Sequence, residues 1–390
     1  MIRIGKPYVV SDSKYAKLIC EVSVDDLKKE IFFQVDKEYE RYLCYERCDA
    51  YLIVLFYWAM RNNHNIICDG LVSEDLLYQI NEYLIPVLYR YGDNKLNMID
   101  ITCSVGTNVK NIGAVGTGLT CGVDSFHAII NNLSDKYPSR KLTHLTIMSL
   151  ADSYKKDGNY DLISKKIYEK ARIVSKEFNL PIIEIKSNIR ELFPIPPMHT
   201  FIRMFGVYAL QKLFGTYYFA SGFPVWSFNI NDSVYTDSAR YDLFLCSNLS
   251  SRNLVIYSEG SMKTRIEKIK FIVDNEIVKK HLHVCVKDYI NCGKCSKCIR
   301  TMCALDSINK LDSFRESFDV DYYYKNIDFY LEEILKMYEK EDLFIYEFID
   351  DFMKKYSKKD IFLKYKFKRK KDFVCNRCYR LSDYNDKKNK

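Results

Sequence analysis

Between residues 112 and 257 short apolar runs alternate with helical stretches, and no other property of the chain narrows its fold as much. Ile112–Leu119, Thr143–Leu150, Ile182–Ile185, Tyr217–Ser221 and Asn253–Tyr257 read as strands, while 125–133, Leu162–Phe178 and Phe201–Phe214 read as the helices joining the first four. Parallel strands need long crossovers, so this order predicts an α/β fold, a Rossmann-like parallel sheet with helices on both faces. The first strand carries Gly113, Gly116 and Gly118, which argues against a central place for it. Ligands of such sheets sit beyond the carboxyl ends of the strands. That rule gathers residues 116–127, Ser149-Leu150-Ala151-Asp152, Ser221-Gly222 and Ser258-Glu259-Gly260 around one crevice.

The first of these segments carries the most chemistry. Gly116-Thr-Gly-Leu-Thr-Cys-Gly-Val-Asp-Ser-Phe-His127 is a turn opening straight into a helix, whose N-terminus offers unpaired N–H groups and partial positive charge to a phosphate. Gly122 lets the backbone approach an anion, Thr120 and Ser125 add hydroxyl donors, and Asp124 suits Mg²⁺ beside a polyphosphate. The competing reading is a plain cap, with Asp124 or Ser125 starting a helix near Phe126.

Cys285, Cys292, Cys295 and Cys298 form C-x6-C-x2-C-x2-C, with Gly293 in the tight turn. Four thiolates at this spacing close tetrahedrally on Zn²⁺ and leave no position for a water nucleophile, so the site is structural; the competing reading is four buried free cysteines. With four cysteines the set is complete, and His281 and His283 are not needed. Cys303 reads as a core residue or a spare thiol, His127 as a core or surface histidine, and Cys44/Cys48 and Cys68/Cys103 as buried side chains without metal spacing. Cys375-Asn-Arg-Cys378 has knuckle spacing but no second pair.

Thr120, Cys121, Gly122, Asp124 and Ser125 resemble the S-G-G-x-D-S signature of the PP-loop ATP pyrophosphatases. Followed about 160 residues later by the four-cysteine knuckle, they resemble the 7-cyano-7-deazaguanine synthase family of N-type enzymes, over roughly residues 110 to 310. The resemblance implies a HUP-type sheet, with Thr120, Cys121, Gly122, Val123, Asp124 and Ser125 on ATP and Mg²⁺. It also implies zinc on the four cysteines and adenine gripped at Ser149 to Asp152. Cys121 stands where the family has glycine, and a cysteine predicts a backbone that does not need positive φ. Asp124 and Ser125 are the expected catalytic pair. Arg203, Tyr235, Asp237, Arg240, Lys263 and Arg265 are substrate candidates; the 235–242 segment loosely resembles the family's purine-binding segment, and Lys263 and Arg265 suit a phosphate or carboxylate.

The implied activity is ATP-dependent adenylation of a carboxylate, a 7-deazaguanine-like or related acid, releasing pyrophosphate. An amine or ammonia then attacks the acyl-adenylate to form an amide or, after a second round, a nitrile, and a peptide or protein acceptor is open. Two alternatives stand beside it. One is a PP-loop RNA-thiolating enzyme with sulfur on Cys121 or the 375–378 pair. The other is a non-catalytic nucleotide-binding scaffold.

Charge bears on the nucleic-acid alternative. The chain carries +8, but residues 353–390 hold 15 Lys/Arg against 4 Asp/Glu, so the +11 of this tail leaves −3 for everything before it. Alternating cations and aromatics in 364–371 suit a phosphate backbone with stacked bases, or a solvated face. Residues 1–108 are expected as a separate α+β unit, 109–310 as the PP-loop domain with its knuckle, and 311–390 as a helical extension with the basic tail. The 14 cysteines, with no secretory leader pattern, suggest a reducing cytoplasm. The longest apolar run, Ala50 to Met60, is 11 residues, too short for a membrane span. A homodimer remains open.

Overall fold

The computed structural model describes residues 1–25, 27–92, 95–148, 160–193, 199–230, 238–340 and 342–357. Ser149, Tyr235, Asp237, the 364–371 run and the 375–378 cysteine pair lie outside them. The chain divides into two units, residues 1–291 and 292–390.

The first unit is built in chain order from β1 (Ile2–Ile4), β2 (Tyr8–Ser11), β3 (Tyr15–Val24), β4 (Leu27–Asp36), α1 (Asp49–Arg61), β5 (Ile66–Ser73) and α2 (Glu74–Gln79). A π-helical turn (Ile80–Leu84) leads into α3 (Ile85–Tyr91), then β6 (Ile101–Gly106), β7 (Ala114–Gly118), α4 (Val123–Asn131), β8 (His144–Met148), α5 (Tyr160–Glu177) and β9 (Ile182–Ser187). There follow α6 (Ile189–Leu192), α7 (His199–Ala209), β10 (Phe214–Ala220), α8 (Asp242–Asn248), β11 (Val255–Glu259), α9 (Arg265–Ile272) and α10 (Glu276–His281). The strands make one 11-stranded, mostly parallel sheet, ordered β11-β10-β7-β8-β9-β4-β3-β1-β5-β6 with β2 beside β3.

β7 to β11 are all parallel. The chain steps from β7 to β8 to β9 in one direction, then returns to lay β10 and β11 on the other side of β7. Crossovers between parallel strands are right-handed as a rule, so connections on the two sides of that reversal are expected on opposite faces, with a crevice beyond the strand ends between β7 and β10. β7 is central despite its glycines, and the reason is steric. A Cβ on Gly116 would stand 2.5 Å from the Phe214 ring and 2.9 Å from that of Tyr217. The missing side chain is the space those two aromatics of β10 occupy.

Residues 1–108, expected as a separate unit, share a unit and a core with the parallel sheet. β4 pairs antiparallel with β9 through Phe33↔Ser187 and Gln34↔Lys186. Phe33 and Tyr51 both meet Phe205, with centroids 5.6 and 5.4 Å away, and Phe56 meets Phe201 at 5.3 Å. The physical cause is α1, of whose 13 residues 11 are buried. A helix apolar on nearly every side must be covered on every side, and α7 supplies what the N-terminal strands do not. Asp49 at its start is buried with it, accepting from the Ser73 N–H (2.8 Å), the Ser73 hydroxyl (2.5 Å) and the Gln211 amide (3.1 Å).

The second unit carries α11 (Ser296–Ser307), α12 (Val320–Lys325), α13 (Ile327–Glu339) and α14 (Ile349–Lys355), so helices do follow the knuckle. Buried Asp306 ties them, accepting from Tyr323 (3.0 Å), Tyr356 (2.5 Å) and Lys355 (2.6 Å).

Candidate functional site

Residues 119–125 turn from the end of β7 into α4. Cys121 has φ +57°, against the expectation that a cysteine here implies negative φ. The turn needs the left-handed conformation whichever residue fills it, at roughly 1–2 kcal/mol for a side chain with a Cβ. The His283 N–H donates to the Cys121 carbonyl at 2.8 Å and holds it there. Gly122, extended, precedes α4, and no side chain caps the helix. Neither Asp124 nor Ser125 is the cap: the Ser125 hydroxyl donates to the Gly122 carbonyl at 3.0 Å and accepts from Thr120 at 3.3 Å. The first-turn N–H groups are left for an anion.

Asp124 is held by two cations. Its Oδ2 is 2.7 Å from Arg265 and its Oδ1 3.1 Å from Lys268 Nζ. Burial pushes the Asp124 carboxyl up, but the charges of Arg265 and Lys268 outweigh this and hold it below the usual carboxylate range. α9 delivers both cations because Thr264 and Glu267 form a reciprocal capping box, so 265 and 268 fall on one face. The same cations reach the next strand end: Lys268 donates to the Ser221 carbonyl at 2.7 Å and Arg265 to that of Gly222 at 3.3 Å. Beneath them Asp242, 3% exposed, accepts from Ser221 (2.8 Å) and Ser258 (2.7 Å), joining the ends of β10 and β11.

The structure thus brings Thr120, Cys121, Gly122, Val123, Asp124, Ser125 and Arg265 together, with 221–222 and 258 alongside. Arg203 does not join them, donating instead to the Met148 carbonyl at 3.0 Å. Arg240 lies 5.1 Å over the Phe223 ring, and Lys263 4.2 Å over Phe271. Sequence reasoning missed Lys268 and Asp242. The signal for Lys268 was present in its spacing with Ile266, Ile269 and Ile272, whose buried face of α9 it shares at 2% exposure. A lysine on such a face requires a carboxylate across from it.

Asp242 yields a pH prediction. Burial, opposed by the two serine hydrogen bonds, raises its pKa to about 6. The folded state therefore binds the proton more tightly than the unfolded state, and stability falls as pH rises from about 4 through 6. Asp242→Asn is expected to remove this slope, so that the wild-type and variant melting temperatures diverge more at pH 7.5 than at pH 4.5, in favour of the variant.

At the knuckle the Sγ atoms of Cys285, Cys292, Cys295 and Cys298 lie within 4.8 Å of one another. Thiolates on one Zn²⁺ stand about 3.8 Å apart, so modest closure about an ion suffices. Gly293 has φ +68° in the tight turn, Asn291 Oδ1 accepts from the Val284 and Cys285 N–H groups, and Cys295 begins α11. His281 bonds Glu177 at 2.9 Å and His283 the Asp288 carbonyl at 2.9 Å, so both imidazoles are engaged elsewhere. Cys303 receives a 3.8 Å contact from the Tyr323 hydroxyl. The four cysteines could hold a metal such as zinc. No described helix is long and apolar enough to cross a membrane.

No known family model, curated protein or solved structure matches the chain.

Proposed function

We propose that the protein is a PP-loop enzyme of HUP-type architecture that adenylates a carboxylate at the expense of ATP, releasing pyrophosphate, for attack by an amine or ammonia. The observation that carries this reading is the position of Asp124 at the open start of α4, beside the β7–β10 reversal and between Arg265 and Lys268. Cations, free N–H groups and one carboxylate converge there, the set a polyphosphate with its metal requires.

The residues fit Mg²⁺ as one carboxylate acting with substrate phosphates, and the ion supplies charge neutralisation when bound. The N–H groups of the α4 first turn hold the departing pyrophosphate, and Arg265 exchanges its Asp124 partner for a phosphate oxygen. Buried Lys268 stays with Asp124 and keeps it ionised. The acid, by resemblance a 7-deazaguanine-like one, is placed on the crevice side of β10. Zinc on the four cysteines is structural.

Sulfur transfer by Cys121 has no support from its surroundings. Burial pushes that thiol up to about 12, so the nucleophilic thiolate is scarce at neutral pH. The test is nucleotide product analysis with ATP, Mg²⁺ and a carboxylate panel that includes 7-carboxy-7-deazaguanine. AMP and pyrophosphate are expected, and ADP with phosphate would overturn the assignment. Arg265→Ala is expected to raise the KM for ATP about tenfold or more while leaving zinc content unchanged, checked by initial rates and metal analysis.

A further inference from the structure

A cavity of about 510 Å³ opens on the α4 side of β10 and β11, behind the Asp124 cluster. His127 and Asn131 line it from α4, Tyr218 and Tyr257 from the two strands, and Arg140 and Lys263 from flanking segments. Its volume suits a nucleoside-sized molecule. The two tyrosines stack with centroids 5.9 Å apart, and Tyr257 is 42% exposed, with the Arg140 guanidinium 5.7 Å over its ring. That is a surface for a planar ring.

One buried and one half-buried polar group, His127 and Glu259, point to what the ring carries. His127 is 1% exposed, and neither ring nitrogen has a hydrogen-bond partner. Burial and the nearby Lys263 and Lys268 lower its pKa to about 4, so at neutral pH it offers one N–H donor and one lone pair. Glu259 Oε1 lies 3.8 Å from His127 Nδ1 and accepts from the Asn131 amide at 2.9 Å. Orphaned buried polar atoms in a native site call for a partner. A carboxylate can only accept, so it selects a base edge with adjacent donors: guanine presents N1–H and the 2-amino group there, whereas adenine presents an acceptor beside its one amino group. Arg140 and Lys263 add positive charge for a phosphate.

We infer that this cavity is a second ligand site, distinct from the α4 start, that takes a guanosine monophosphate. The ring lies on Tyr257, the base edge meets Glu259 and His127, and the phosphate meets the cations. Gly260 forms part of the cavity wall. At φ +76° it passes so close that a Cβ would stand 3.0 Å from both His127 Nδ1 and Lys268 Cε. The inference does not depend on the adenylation chemistry proposed above.

The test is calorimetric titration of the full chain with GMP, AMP, CMP and UMP in turn. GMP is expected to bind one per chain, about ten- to a hundredfold tighter than AMP, and Glu259→Gln to erase that preference. Tyr257→Ala, at an exposed ring, is expected to weaken GMP binding at an unchanged melting temperature, so the test survives if the glutamate variant folds poorly. Arg265→Ala, which leaves the Lys268–Asp124 pair in place, is expected to leave GMP binding intact. No saturable GMP binding at millimolar concentration, equal affinity for AMP, or loss of GMP binding in Arg265→Ala would each overturn the assignment.

Discussion

Cys295→Ser is expected to empty the knuckle of zinc and lower the melting temperature by about 10 °C, because the free energy of a closed thiolate site is folding free energy. The sign of the stability change makes this decisive. Cys295 occupies the position immediately before α11, with the extended backbone of an N-cap and no side-chain cap. Serine is among the best residues at that position and would stabilise a metal-free helix by about 1 kcal/mol. A chain that uses no metal should therefore melt slightly higher as Cys295→Ser. A chain that binds zinc through Cys285, Cys292, Cys295 and Cys298 should melt far lower, and metal analysis should fall from one zinc per chain toward none.

Asp124→Asn is expected to reduce AMP formation about a thousandfold with zinc content unchanged. It is also expected to cost stability, which the sequence alone does not suggest for a loop aspartate. Lys268, 2% exposed, would be left beside Arg265 without a countercharge, at a cost of about 3–5 kcal/mol. Asp124→Asn with Lys268→Met should recover much of the melting temperature and none of the activity. A calorimeter and an AMP assay on the same three proteins separate the two roles. The pH dependence follows in sign: with its pKa held below the unfolded value, Asp124 stabilises the fold above about pH 4 and loses that contribution as pH falls through the folded pKa.

The parallel sheet was legible because its strands and crossover helices differ in hydrophobic period, and the turn at 119–125 because glycine and small polar residues precede a helix. The knuckle was legible from spacing alone. What escaped was anything fixed by an encounter between distant segments. The central place of a glycine-rich strand depends on Phe214 and Tyr217, about a hundred residues later. Lys268 could be read as a lysine on an apolar helix face, but its partner Asp124, 144 residues earlier, could not. Residues 1–108 read as self-contained because their own alternation is regular. The apolar surplus on α1 was visible in its sequence, but not the fact that α7 would cover it.

The pairing of β4 with β9 also sets a schedule for synthesis. Phe33 leaves the ribosome 154 residues before its partner Ser187, and the inner face of α1 waits as long for Phe201 and Phe205. At ordinary elongation rates of 5–20 residues per second, that is about 8–30 s during which a β-strand edge and one face of an unusually apolar helix have no cover. Truncated chains ending before residue 182 would remain in that state indefinitely. The first third of this protein is thus expected to need chaperone protection while it is being made, and to be insoluble when expressed by itself.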